Sequence, residues 1–201
     1  GSRQREITVL FCDIRGFTPF SETHTPREVV DLLNEFFTAI VPAIEAHGGT
    51  VNLYIGDAVM VIFGAPRPQP DHALRAVRAA VDILRRVRRL KDRWEQFGAE
   101  GFRIGVGIHT GSAVVGTVGS PRRLDYTAIG DTVNTASRIE SGNKELDTEI
   151  LVSRATCDAL PAEHRDRISA TWQAKQLSVK GKQQAVEVYA ITLPGESVWP
   201  G

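Results

Sequence analysis

Two aspartates stand where this chain could do chemistry. Asp13 closes an apolar, β-prone run, Ile7–Cys12 (ITVLFC), and Asp57 follows a glycine between two more such runs, Thr50–Leu53 and Ala58–Phe63. Carboxylates fixed at strand ends, with backbone carbonyls beside them, make a hard-oxygen site suited to Mg²⁺ or Mn²⁺. A pair of these ions can clamp the attacking and leaving oxygens of a phosphoryl displacement. The competing reading is structural, because aspartates end strands and Gly-Asp is ordinary hairpin chemistry. On spacing alone the structural reading prevails. His109 is a candidate general base, but it too reads as a structural residue within a strand-turn segment.

The elements that must position these aspartates follow from periodicity. Thr25 before Pro26 is a helix start, and Val29, Leu32, Leu33, Phe36, Phe37, Ile40, Val41 and Ile44 give that helix one apolar face. Gly48-Gly49 ends it, and Pro42 inside it predicts a kink or a new turn. The runs around Ile55-Gly56-Asp57 predict a hairpin with an acidic tip. A second long helix is expected over Asp71–Phe97, with Ala73, Val77, Ala80, Val81, Leu84, Val87 and Leu90 inward. Its arginine stripe reads as a solvated face, since Asp82 and Asp92 lie on the same helix. Phe102–Ile108 and Ala113–Val118 predict a hairpin joined through His109-Thr110-Gly111-Ser112. Asp131–Ser141 predicts a short helix stopped by Gly142. Further on, Ile150–Val152 reads as a strand, Ser153 as the cap of a brief helix to Leu160, and Leu177–Val179 as the partner of Val186–Ile191. The order is α+β: a ferredoxin-like βαββαβ core with additional C-terminal β-α elements. One mixed sheet is expected, with helices packed on one side. In that sheet the first strand neighbours the following hairpin, so Asp13 and Asp57 can reach one edge.

Composition bounds the function. A chain of 201 residues buries roughly 70% of its unfolded surface, enough for one domain without staples. With 42% hydrophobic and 24% charged residues, collagen-like, disordered and disulfide-scaffold classes are excluded. The 24 basic and 24 acidic residues leave no cationic excess for nucleic acid or an anionic membrane. No apolar run approaches the roughly 20 residues that span a bilayer. The polar start Gly1-Ser2-Arg3 does not read as a signal peptide, and Gly1-Ser2 reads as a cleavage scar. Cys12 and Cys157, both in apolar stretches, fit a reducing compartment, and the expected location is cytoplasmic. The expected division is residues 1–2 as scar, 3–193 as the domain and 194–201 as a tail, with regulatory domains of a larger protein outside the sequence.

The residues flanking the two aspartates change their weighting. Phe11-Cys12-Asp13-Ile14-Arg15-Gly16-Phe17-Thr18 and Ile55-Gly56-Asp57-Ala58-Val59-Met60 resemble the two metal-binding motifs of class III nucleotidyl cyclases. Asp125-Tyr126-Thr127-Ala128-Ile129-Gly130-Asp131-Thr132-Val133-Asn134, with Ser137-Arg138, resembles the family's third motif, and Val179-Lys180-Gly181-Lys182 its last. They occur in family order across nearly the whole chain, in wording most similar to the bacterial adenylate cyclase branch. The resemblance implies a head-to-tail homodimer that converts ATP to 3′,5′-cyclic AMP and pyrophosphate. Asp13, Asp57 and the carbonyl of Ile14 would hold two Mg²⁺ or Mn²⁺ ions, with Gly56, Phe17 and Thr18 around the substrate. The partner would supply Asn134 to orient the ribose, Arg138 to meet charge on the α-phosphorus, and Lys180 for the triphosphate. Asn134 and Arg138, four residues apart, share one face of a helix. Outside the motif, Arg138 would be a surface residue paired with Glu140 or Glu145, and Lys180 a solvated turn lysine.

Two positions depart from the pattern. Adenine selection in the family usually uses a lysine four residues before the second metal aspartate, and here that position is Leu53. The second adenine contact is Thr127, which fits one bacterial branch. Leucine cannot donate to adenine N1, yet guanine-selecting relatives carry glutamate there, so Leu53 does not favour GTP. Three explanations stay open: a base held by Thr127 and backbone groups, an engineered replacement of lysine, or a weakened nucleotide-binding and dimerisation module. A low-selectivity guanylate cyclase is a further alternative. The presence of the other motif residues favours retained adenylate cyclase chemistry with impaired base selection. The second departure is Gly105, where relatives carry a phosphate-contacting arginine; Arg103 faces the same side of the strand.

Overall fold

The computed structural model describes residues 1–96, 98, 102–165, 174–181 and 185–193, with side chains at all of these except 53–55. In chain order the elements are β1 (Arg3–Arg15), α1 (Phe17–Thr23), α2 (Pro26–Ala46), β2 (Thr50–Ile55), β3 (Ala58–Phe63) and α3 (His72–Gln96). There follow β4 (Arg103–Ser120), β5 (Arg123–Ile129), α4 (Asp131–Leu146), β6 (Ile150–Ser153), α5 (Arg154–Asp158), β7 (Ala174–Leu177) and β8 (Val186–Ile191). The strands form one sheet in the order β2-β3-β1-β4-β6-β8-β7, with β5 on the free length of β4. All neighbours are antiparallel except β4 and β6. The expected α+β architecture is therefore present, with β1 at the centre of the ferredoxin-like part and the C-terminal strands extending it. Of the sequence expectations, Phe97, Lys182 and the tail 194–201 lie outside the described residues.

The expectation of helices on one side is corrected. Leu10, Cys12 and Ile14 of β1 face α2 and α3, in a core with Phe36, Ile40, Leu84 and Trp94. Ile7 and Val9, on the opposite face, pack with Ala136 of α4. Residues alternate across a strand, so β1 is apolar on both faces because both are covered.

The expected hairpin through His109–Ser112 is also corrected: β4 runs unbroken, and β1 pairs with it from Arg3↔Val115 to Arg15↔Arg103. Thr110 lies opposite Thr8, and their hydroxyls hydrogen-bond at 2.8 Å. Gly111 is there for closeness, since a Cβ would sit 2.7 Å from Thr132 Oγ1 of α4. The real hairpin lies between β4 and β5, turning at Pro121-Arg122. Gly142 likewise does not stop α4; a Cβ there would meet Leu177 Cδ2 at 2.8 Å, so it too admits a close neighbour. α2 passes through Pro42 without interruption, with Ile40, Ala43 and Ile44 buried on either side of it. α1 was not foreseen; its Phe20 is buried edge-on to Phe102.

Candidate active site

The end of β1 and the tip of the β2–β3 hairpin are fastened together. Gly56 (φ 61°) and Asp57 make the two-residue turn, and Asp57 Oδ2 accepts a hydrogen bond from the Ile14 backbone N–H at 2.9 Å. That bond brings both expected metal-ligand aspartates and Ile14 into one cavity of about 500 Å³. Arg15 and Gly16, then Phe17, Thr18 and Pro19 at the start of α1, and Glu140, Ser141 and Lys144 from α4 complete its lining.

Glu140 is the member that sequence reasoning missed as part of this site. It reaches the cavity because β4 has no side chains beneath it. A Cβ on Gly105 would lie 3.0 Å from Glu140 Oε2 and 3.2 Å from Asp13 Oδ1. A Cβ on Gly107 would collide with the Glu140 backbone nitrogen at 2.2 Å. The two glycines thus seat α4 on the sheet and leave room for two carboxyl groups. The sequence signal was Gly105-Val106-Gly107 in a buried strand, where glycine marks close approach.

Crowding and burial shift the protonation of Glu140 and Asp57. Burial, then a hydrogen bond with Asp13, then the charges of Asp13 and Asp57 push the Glu140 carboxyl up to about 10, with Arg15 opposing. Burial raises Asp57 as well; the Ile14 N–H works against this, and the Asp13 charge adds to it. Asp13 Oδ1 is buried, and the hydrogen-bonding neighbour of Asp13 is itself a carboxyl group, Glu140, rather than an N–H donor. A buried carboxylate crowded by other carboxyl groups is costly, and a bound cation is one way to satisfy it. The residues therefore fit a divalent ion. Among the described residues no cluster of three His, Cys, Asp or Glu is arranged to hold a metal. The protein's donors would be Asp13, Asp57 and the Ile14 carbonyl, and other oxygens would complete the shell.

The remaining expected site residues lie elsewhere. Asn134 is exposed and Arg138 half-buried on α4, and neither lines the carboxylate cavity. Arg138 donates to Glu145 Oε1 at 2.8 Å, not to Glu140. Lys180 is exposed in the turn beside Gly181, whose φ is 84°. Thr127 is half-buried on β5 and donates its hydroxyl to Asn52 Oδ1 at 2.6 Å. Leu53 holds a backbone place in β2 opposite Met60, one residue from Asn52. Arg103 is engaged with Asp147 at 2.5 Å and Glu149 at 3.6 Å, so acidic neighbours on its own chain hold it. His109 Nδ1 lies 2.8 Å from Ser153 Oγ, at the end of a hydroxyl chain that runs through Thr156 and Thr110 to Thr8 and His72.

A mixed sheet with two carboxylates at one edge, beside a helix bearing Asn-x-x-x-Arg, is the framework of a nucleotidyl cyclase catalytic domain. Residues 2–192 match the family model described as the Adenylate and Guanylate cyclase catalytic domain, and the chain belongs to this family. It is 38% identical over 188 residues to Adenylate cyclase 1 of Rhizobium meliloti, covering 94% of this chain and 28% of that protein. It is 37% identical over 188 residues to the adenylate cyclase of Anabaena cylindrica, covering 93% of this chain and 37% of that protein. The chain thus spans well under half of these relatives. Among solved structures it resembles the guanylyl cyclase Cya2, with a TM-score of 0.83, 33% identity and 100% of both chains covered. It also resembles the adenylyl cyclase CyaB from P. aeruginosa, with a TM-score of 0.82, 33% identity and 96% of each chain covered. No helix among the described residues is long and apolar enough to cross a membrane.

Proposed function

We propose that this cyclase domain acts on ATP, as a homodimer whose two sites each draw on both protomers. The observation that carries the reading is the Asp13–Asp57 pair, locked by the Ile14 N–H and crowded by a third carboxyl group, Glu140, in one buried cavity. Two Mg²⁺ or Mn²⁺ ions bound there would supply charge to acidify the ribose 3′-hydroxyl and to neutralise the triphosphate.

The chain's own residues would do the rest. Asp13, Asp57 and the Ile14 carbonyl hold the cationic site in one place, and Phe17, Thr18 and Gly56 shape the space beside it. Asn134 of the partner protomer orients the ribose. The planar fork of Arg138 meets the charge that builds on the α-phosphoryl oxygens, and Lys180 holds the departing phosphates. The 3′-oxygen bonds to the α-phosphorus as the bond to the bridging oxygen of pyrophosphate breaks. The 3′-hydroxyl proton leaves to solvent, so no covalent enzyme intermediate is needed. Arg138 would have to leave Glu145 to play its part.

The likeness to the guanylyl cyclase Cya2 favours a second reading in which GTP is also used, and Leu53, which removes the usual adenine donor without supplying a guanine contact, leaves room for it. Assaying cyclic AMP and cyclic GMP from each nucleotide with Mn²⁺ tests both. Cyclic AMP as the main product supports the first reading, and a clear GTP preference supports the second. No cyclic product at high enzyme concentration overturns both.

A further inference from the structure

β2 contains an irregularity whose side chain is turned toward β5. Its pairing with β3 jumps from Val51↔Val61 to Leu53↔Met60, so Asn52 is an extra residue without a partner on β3. A bulge of this kind re-aims the side chain it carries. Asn52 is turned toward β5, where its Nδ2 donates to the Tyr126 carbonyl and its Oδ1 accepts from Thr127 Oγ1 at 2.6 Å.

These two bonds leave Thr127 little choice. An amide whose nitrogen is committed to a carbonyl presents only its oxygen on the other side. That oxygen has no proton to give, so the single hydroxyl proton of Thr127 must point at Asn52. What remains on Thr127 Oγ1 is lone pairs. A free threonine can donate to one base and accept from another; a threonine held in this way can only accept.

We propose that Asn52 is a positioning residue for base selection, holding Thr127 as an obligate acceptor and so favouring adenine over guanine. This rests on the reading above that Thr127 faces the purine. Adenine presents its exocyclic N6 amino group, a donor, at the position where guanine presents O6, an acceptor. Guanine in the same pose would set two lone-pair oxygens against each other with no proton between them. A buried acceptor left unpaired lowers affinity on the order of tenfold or more. The device needs no lysine at position 53, so a preference for ATP survives Leu53.

The test uses the whole chain with Mn²⁺, measuring affinity for α,β-methylene-ATP and α,β-methylene-GTP alongside cyclic product formation from ATP and GTP. Asn52→Ala frees the Thr127 hydroxyl to rotate, and the adenine-to-guanine affinity ratio should fall about tenfold. Asn52→Asp keeps an acceptor facing Thr127 and should hold the ratio within about twofold of wild type, even though it loses the Tyr126 bond. Thr127→Val should lower the ratio as Asn52→Ala does, and the double variant should fall no further. If Asn52→Ala does not fold, Asn52→Asp and Thr127→Val decide the matter. A merely structural tie between β2 and β5 would change melting temperature and leave the ratio alone. An unchanged ratio in Asn52→Ala, or a collapse in Asn52→Asp equal to that in Thr127→Val, overturns the inference. Wild type that discriminates between the analogues but makes no cyclic product overturns the cyclase reading and leaves this inference standing. Binding of neither analogue overturns both.

Discussion

Gly107 controls the site although it has no side chain to place in it. An added methyl would stand 2.2 Å from the Glu140 nitrogen and 2.8 Å from the Ala136 carbonyl oxygen, both backbone atoms of α4. Helix and strand would have to part, so Gly107→Ala should cost about 1–3 kcal/mol and lower the melting temperature by several degrees. Gly105→Ala meets only carboxylate ends, at 3.0 and 3.2 Å. It should fold normally but crowd Asp13, lowering turnover roughly tenfold to a hundredfold. Thermal melts and product assays on the two variants separate these effects; equal melting of Gly107→Ala and wild type would show that α4 is not seated as described. Asp13 and Asp57 were legible in the sequence because each lies in a local motif. Glu140 was not, because its place depends on two glycines in another strand. Asn52 was hidden for a similar reason: a bulge is a mismatch between two strands, and neither strand announces it alone.

Elements were legible where their signals are local. Thr25 caps α2 in a reciprocal box with Glu28, as the Thr-Pro start suggested. Thr25→Ala should remove about 1 kcal/mol of stability, read as a lower denaturation midpoint with unchanged activity. Where glycine serves close packing, the same reasoning failed: Gly111 and Gly142 read as breakers and are contact points inside β4 and α4. At the first turn of α3, His72 joins helix to sheet, with Nδ1 2.7 Å from Thr8 Oγ1 and Nε2 4.0 Å from Glu6. Burial lowers its pKa below the ordinary histidine value, against the opposing pull of Glu6 and Asp71. The folded chain therefore binds fewer protons than the unfolded chain just below the unfolded value of about 6.5. This contribution is complete above that pH and is lost as the pH falls through the folded value. His72→Gln should flatten the loss of stability on acidification, measured by denaturant melts at a series of pH values. A wild-type slope in the variant would place the acid sensitivity in another group.

At the scale of the whole molecule, one chain carries every motif residue but does not gather them. The cavity around Asp13 and Asp57 excludes Asn134 and Arg138, and Arg138 rests on Glu145. Meanwhile β4 and β5 extend an arm past the end of β1, with Val118 and Leu124 about half exposed on it and Val114 and Ile129, which lie across from each other at its base, about half exposed as well. Apolar side chains on a projecting ribbon are placed to meet another surface. In a two-fold dimer each site would combine the carboxylates of one protomer with the arginine of the other. Asp57→Ala and Arg138→Ala should then each abolish product formation when alone. In a random mixture half the dimers pair the two variants, and one of their two sites is whole. Activity should return to about a quarter of wild type at equal total protein. Native mass spectrometry would confirm that the mixed dimer forms. If it forms and no activity returns, the carboxylates and the arginine do not serve a common site.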